Sequence, residues 1–334
     1  MELSDSVYQI IWFILIGVLF AGYSILDGFD LGVGILFPFI TTDDREKGIL
    51  ARSIGPVWDG NEVWLVTAGG ALFAAFPLAY ATVFSGFYLA LMLVLFALIF
   101  RAVSLEFWAH DEKRRKIWSW AFFTGSLVPS LLFGIALGNV VYGVPLTEQF
   151  EFGGNFFTLL RPMPLLVGLL GLVAIIVQGS TYTAMKTEGQ VHERARLITK
   201  KMMVLYALIF ISVVLSTMVY MPEIADKAMV WIFSALVILS VGAGWFFNSQ
   251  DRNGGAFLMS SLGFAGLWGI TGSIHFPNMV RGAANHAHSI TIGNSSSSSL
   301  TLKIMLIIAL IGMPVVIAYS AYVYYIFKGK TTEA

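Results

Sequence analysis

The sequence predicts an all-α integral membrane protein of about nine transmembrane helices, its N-terminus outside and its C-terminus in the cytoplasm. Three observations predict it. Of 334 residues, 57% are hydrophobic and only 12% charged, with a mean hydropathy of +0.79, well beyond the composition of an ordinary water-soluble domain. The apolar residues fall into runs near the ~20 needed to cross a bilayer. Lys and Arg gather in alternate connections between these runs, as the attraction of basic residues to cytoplasmic loops requires. The formal net charge is zero, and no nucleic-acid partner is expected. The chain has no cysteine, which excludes disulfides, thiolate metal sites, covalently attached c-type haem and a Cys nucleophile.

The opening residues, MELSDSVYQ, lack the basic region of a signal peptide. The apolar run that follows, 10–36, is too long for a signal core and is expected to remain as the first span. Further spans are expected near 58–77, 79–100, 117–141, 163–187, 202–221, 228–247, 255–277 and 301–327. With the N-terminus outside, 16 of the 20 basic residues lie in the cytoplasm, Arg101, Lys186 and Lys303 being read as loop residues. No segment reads as a separate soluble unit, so 1–334 is taken as a single polytopic membrane domain. Two outer loops are longer than the rest. One, 142–162, is rich in Gly and aromatics, and the other, 278–300, carries a serine run that reads as mobile and without chemistry.

Acids are the informative residues. Of 20 Asp and Glu, only Asp27, Asp30, Asp59 and Glu62 fall within or just inside the apolar segments. Such a residue costs roughly 2.5–3.5 kcal/mol at a helix centre, so it usually faces the bundle interior, pairs, or serves a proton or ion path. At ~1.5 Å rise per residue, Asp27 lies roughly 26 Å along a helix that starts outside, while Asp59 and Glu62 open a helix that starts inside. All four are thus expected on the cytoplasmic side. Asp27 with Asp30, and Asp59 with Glu62, are spaced i,i+3 and share a face. No Lys or Arg is expected within the spans to neutralise them, which suits groups that hold and pass protons. The dipole at a helix start also favours acids there, so a merely structural placement competes with this reading. Gly28, Gly32 and Gly34 mark the Asp27 face as one that packs against another helix.

Other residues carry less. Trp58, Asn61 and Trp64 flank the acids and are candidates to face a partner or cofactor, whereas Trp118 and Trp120 read as an interfacial aromatic belt. Gln178–Thr183, QGSTYT, reads as a patch of interhelical hydrogen bonds. His110 and His192 fall in loops, His275 at a span end, and His286 with His288 in an outer loop. No metal site and no haem axially ligated by this chain are therefore expected.

Several motifs are more specific. LDGFDLGVG at 26–34, WDGNEVWLVTAGGALFAAFP at 58–77, FSGFY at 84–88, GNFFTLLRP at 154–162 and QGSTY at 178–182 together resemble subunit II of the cytochrome bd-type quinol oxidases. SSSLTLKIM at 297–305 is similar to the start of that family's last helix. The resemblance implies an integral-membrane terminal oxidase in a bacterial or archaeal cytoplasmic membrane. It implies a heterodimer with a haem-bearing subunit I that carries two b-type haems and a d-type haem, oxidises quinol and reduces oxygen to water. It leaves room for a small accessory subunit beside membrane lipid and quinone. It also implies proton uptake past acids at the positions of Asp27 or Asp30 and Asp59. The rival readings are a proton-coupled transporter, whose acids would tend to lie near the midplane beside broken helices, and a scaffold whose acids only pair with a partner's basic residues.

Overall fold

The computed structural model describes residues 4–283 and 286–331. Helix α1, Asp5–Ile40, is unbroken over 36 residues. Its first half buries one stripe, Tyr8, Trp12, Ile16, Leu19 and Tyr23, at the i,i+3/i+4 spacing of a helix with one face covered. From Asp27 to Phe37 every residue is buried, because helices now surround it on all sides. The chain then turns through α2, Asp44–Ile54. Asp43 caps α2 by accepting from Glu46 N–H, and its buried positions include Leu50 and Ile54.

Helix α3, Trp58–Ala75, stops at Phe76, and Pro77 opens the short α4, Pro77–Gly86, where its fixed φ and missing N–H cost nothing. Helix α5 follows as Tyr88–His110. The span expected over 79–100 is therefore displaced, and α5 continues well past its anticipated end because no Gly or Pro interrupts it. Arg101 lies inside α5 and is buried, not in a loop. The remaining helices are α6 (Arg115–Tyr142), α7 (Pro162–Lys186), α8 (Gly189–Tyr220), α9 (Ala228–Ser249), α10 (Asn253–His275), the single turn α11 (Ile292–Ser295) and α12 (Ser299–Ile326).

Eight helices among the described residues are long and apolar enough to cross a membrane. α3 is not one of them. Its 18 residues extend about 27 Å, but Asp59, Asn61 and Glu62 depress its hydropathy. The most enclosed span is α7, with 61% of its apolar window buried, and the least is α12, with 6%. α7 therefore forms the centre of the bundle, packed against α1, α6, α8 and α10, while α12 lies on the outside along α1 and α3.

The α1–α7 crossing is set by Gly32 and Gly179, where a Cβ on either would collide with the backbone of the other helix. Gly34 similarly admits Ser126 of α6, and Gly28 looks onto Phe264 of α10. The glycine face of α1 is thus spent on neighbours within the chain.

At the N-terminal end of α1 the two long loops pack on each other. Strands β1 (Asn278–Val280) and β2 (Ile290–Thr291) pair antiparallel, and Val144 bridges Gly282. The serine run is held rather than loose. Ser296 Oγ accepts from Gln9 at 2.9 Å, Ser297 N–H donates to Ala75 O at 2.8 Å, and Ser298 caps α12.

An acid cluster between three helices

The buried acids of α1 meet the opening turns of α3 and the middle of α5. Asp27 and Asp30, one turn apart, are both fully buried. Arg101 reaches Asp27 with both terminal nitrogens, Nη2 to Oδ1 at 2.5 Å and Nη1 to Oδ2 at 2.9 Å. The same Nη1 donates to Glu62 Oε1 at 3.0 Å. This planar two-pronged geometry suits a guanidinium and not an ammonium. The expectation of unneutralised acids is corrected at Asp27 and Glu62: one cation, misassigned to a loop, serves both.

Asp30 has no such partner. Its Oδ2 accepts from Asn61 Nδ2 at 2.7 Å, whereas Oδ1 is buried without any hydrogen bond. Asp30 can therefore carry a proton on Oδ1 without losing an interaction. The Asn61 carboxamide is used on both sides, since its Oδ1 accepts from Tyr324 of α12 at 2.8 Å. Tyr23 is buried beside Asp27.

The acids grade outward. Asp30 and Asp27 are enclosed, Glu62 keeps 27% of its side chain exposed, and Asp59, one turn nearer the start of α3, is exposed. On the side toward the end of α1 the cluster is roofed by an apolar layer including Phe29, Val33, Phe37, Ile54 and Trp108. The open approach therefore runs along the outward face of α3, where Val63, Val66 and Phe73 are also exposed.

The flanking aromatics divide. The Trp58 ring centre lies 6.0 Å from the Arg101 guanidinium carbon, within cation–π reach. Trp64 lies in a notch at Gly22 of α1, where a Cβ would collide with the indole. Asn61 and Trp64, anticipated to face a partner or cofactor, both make contacts within this chain.

Three members of the cluster were not anticipated: Arg101, Tyr324 and Tyr23. Arg101 was within reach of the sequence, because the helical run from Tyr88 contains no breaker. Tyr324 was not, because its contact with Asn61 joins residues 263 positions apart.

The polar patch of α7 forms the expected interhelical bonds. Gln178 Nε2 donates to Ile25 O at 3.1 Å and to Ser261 Oγ at 2.9 Å, and its Oε1 accepts from Ser260. Thr199 Oγ1 donates to Ser180 at 2.8 Å, and Tyr182 donates to Ser53 O at 2.8 Å.

Among the described residues no group of three or more His, Asp or Glu could hold a metal. His275 ends α10, enclosed near Val140 with Lys227 and Arg281 nearby. His192 is held between Ala184 O at 2.8 Å and Asp251 Oδ1 at 3.0 Å. The His286 side chain lies outside the described residues.

Comparison with known proteins identifies the relatives. Residues 8–327 match the family model for cytochrome bd terminal oxidase subunit II. The chain is 36% identical over 365 aligned positions to the cytochrome bd-I ubiquinol oxidase subunit 2 of Escherichia coli strain K12, covering 98% of this chain and 96% of that one. It is 31% identical over 328 positions to the cytochrome bd ubiquinol oxidase subunit 2 of Bacillus subtilis strain 168, covering 97% and 96%. In three dimensions it is similar to a chain of the bd oxidase from Geobacillus thermodenitrificans, with a TM-score of 0.80 at 17% identity, covering 96% of this chain and 98% of that one.

Proposed function

The chain belongs to the cytochrome bd terminal oxidase subunit II family, and from that premise we propose that it serves a respiratory quinol:oxygen oxidoreductase in two ways. It holds the haem-bearing subunit I in an assembled heterodimer, and it delivers protons from the cytoplasm for the reduction of oxygen to water. The haems, two of b type and one of d type, belong to the partner, and quinol is the substrate of the complex. The chain is a single membrane domain in the bacterial cytoplasmic membrane, with α3 as a ninth span, its N-terminus outside and its C-terminus inside.

One observation carries the proton reading: four carboxylates lie in a gradient from exposed Asp59 to enclosed Asp30, with one arginine among them. Protons enter at Asp59, pass to Glu62 one turn along α3, and reach the inner acids. Arg101 and Asp27 form the fixed half of the cluster, two charges locked face to face. Glu62 and Asp30 form the exchanging half, since the first shares only one nitrogen of Arg101 and the second has an oxygen with no partner. Trp58 covers the arginine, and the apolar layer around Phe37 and Trp108 keeps bulk water from entering along α1.

The scaffold reading has its own support in the exposure of Asp59 on an otherwise apolar face, where a partner's cation could pair with it. Asp59→Asn separates the two. It keeps shape and hydrogen-bonding capacity, so a proton path gives an assembled, haem-replete complex with slowed quinol oxidation, and Asp59→Glu retains more activity. Loss of assembly in Asp59→Asn supports the scaffold instead.

A further inference from the structure

A second charged site lies away from the acid cluster, at the end of the bundle where α1 finishes. One face of α2, presenting Asp44, Arg45, Gly48, Ala51 and Arg52, stands across from Trp108 and Ala109 of α5 and Arg115 of α6, and encloses a cleft of about 490 Å³. Its cationic character rests on Arg52 and Arg115, which face Asp44 in the lining. Arg115 spends part of its charge on Asp44 at 3.4 Å and Glu112 at 3.5 Å, and its guanidinium carbon stands 5.0 Å from the Trp108 ring centre. Arg52 has no carboxylate partner among the described residues. Gly48 keeps the cleft open, since a Cβ there would come 3.3 Å from Arg52 Nη1 and 3.8 Å from the Trp108 ring.

The level of the cleft in the bundle indicates what fills it. Phe107 and Ile117, adjoining it on α5 and α6, are exposed apolar side chains, which in a membrane protein face hydrocarbon or a partner. Beyond α5, after Asp111 and Glu112, come four consecutive basic residues, Lys113, Arg114, Arg115 and Lys116. An apolar band giving way to a basic segment marks the headgroup level of a bilayer, and basic pockets between helices there take anionic headgroups. The geometry points to this cleft as a binding site for a phosphate anion, supplied by the headgroup of an anionic phospholipid whose acyl chains lie along α5 and α6.

The test uses the whole oxidase complex, purified in detergent and titrated with phosphatidylglycerol, phosphatidylcholine or inorganic phosphate, with adducts counted by native mass spectrometry. Phosphatidylglycerol should bind more tightly than phosphatidylcholine. Arg52→Gln breaks no ion pair among the described residues and should weaken phosphatidylglycerol about fivefold, as expected for one basic residue near a membrane surface, with quinol oxidation per haem unchanged. Gly48→Leu fills the cleft without changing its charge and should weaken the same adduct. Equal binding of both lipids, or phosphatidylglycerol binding that neither variant alters, overturns the site. Displacement of phosphatidylglycerol by inorganic phosphate overturns the lipid as its source.

Discussion

Helix α1 touches two buried polar groups that differ in one respect. Facing α7, it offers the Ile25 carbonyl to Gln178, whose amide is taken up on both sides by Ser260, Ser261 and that carbonyl. Facing α3 and α5, it offers Asp27 and Asp30 to Arg101 and Asn61. The first group is neutral and closed. The second holds three acids against one cation, leaves an Asp30 oxygen without a partner, and opens through Glu62 toward an exposed Asp59. A closed polar group fastens helices together and does nothing further. An unbalanced one costs stability unless a proton or a partner completes it, and the proposed proton path runs through that remainder.

Breaking the fixed pair of the acid cluster should have the largest effect. Arg101→Met leaves Asp27 enclosed without its cation, a loss of about 3–5 kcal/mol, and should sharply reduce assembled oxidase, read as haem per milligram of membrane protein. Adding Asp27→Leu should restore part of it, because the stranded charge is removed too. Next comes the α1–α7 crossing. Gly32→Leu or Gly179→Leu forces apart backbones that touch, costing about 1–3 kcal/mol or more. Gly28→Ala, with only Phe264 near it, should leave yield close to wild type.

The closed group offers the contrasting case. Gln178→Leu strands the bonds of Ser260 and Ser261 and should cost about 1–2 kcal/mol, seen as a lower melting temperature of the complex. Turnover per haem should not change, whereas Asp59→Asn should alter turnover and leave melting nearly intact.

The smallest effect concerns Glu46, outside the spans. Burial would raise its carboxyl, but hydrogen bonds from Arg194 and from Thr42, at 2.7 Å to Thr42 N–H, hold it below its ordinary 4.5. A carboxyl lowered on folding contributes stability above its unfolded value and loses it as pH falls through the folded one. Acidification below about pH 4.5 should therefore lower the melting temperature less in Glu46→Gln than in wild type.

Much of this was legible in the sequence because hydropathy reports long apolar runs. The four acids were found for the same reason, each standing out against its surroundings. α2 and α4 escaped notice because 11 and 10 residues are too short for a span-length window. Arg101 was misplaced because a charge at the edge of an apolar run looks like a loop, and only the partners Asp27 and Glu62 explain its burial. The glycines of α1 announced close packing without saying against what, and Gly179, inside the QGSTY motif, supplied the answer. Tyr324 could not be anticipated, since nothing local ties α12 to α3.

In the proposed proton path the two inner acids are unequal, Asp27 fixed by Arg101 and Asp30 free to exchange a proton. Oxidised-minus-reduced infrared difference spectra of the assembled complex test it directly, through the carbonyl stretch of protonated carboxylic acids. Asp30→Asn should remove a band in this region that Asp27→Asn, where it assembles, retains. Spectra of Asp30→Asn identical to wild type, with proton uptake on oxygen addition unchanged, would contradict it.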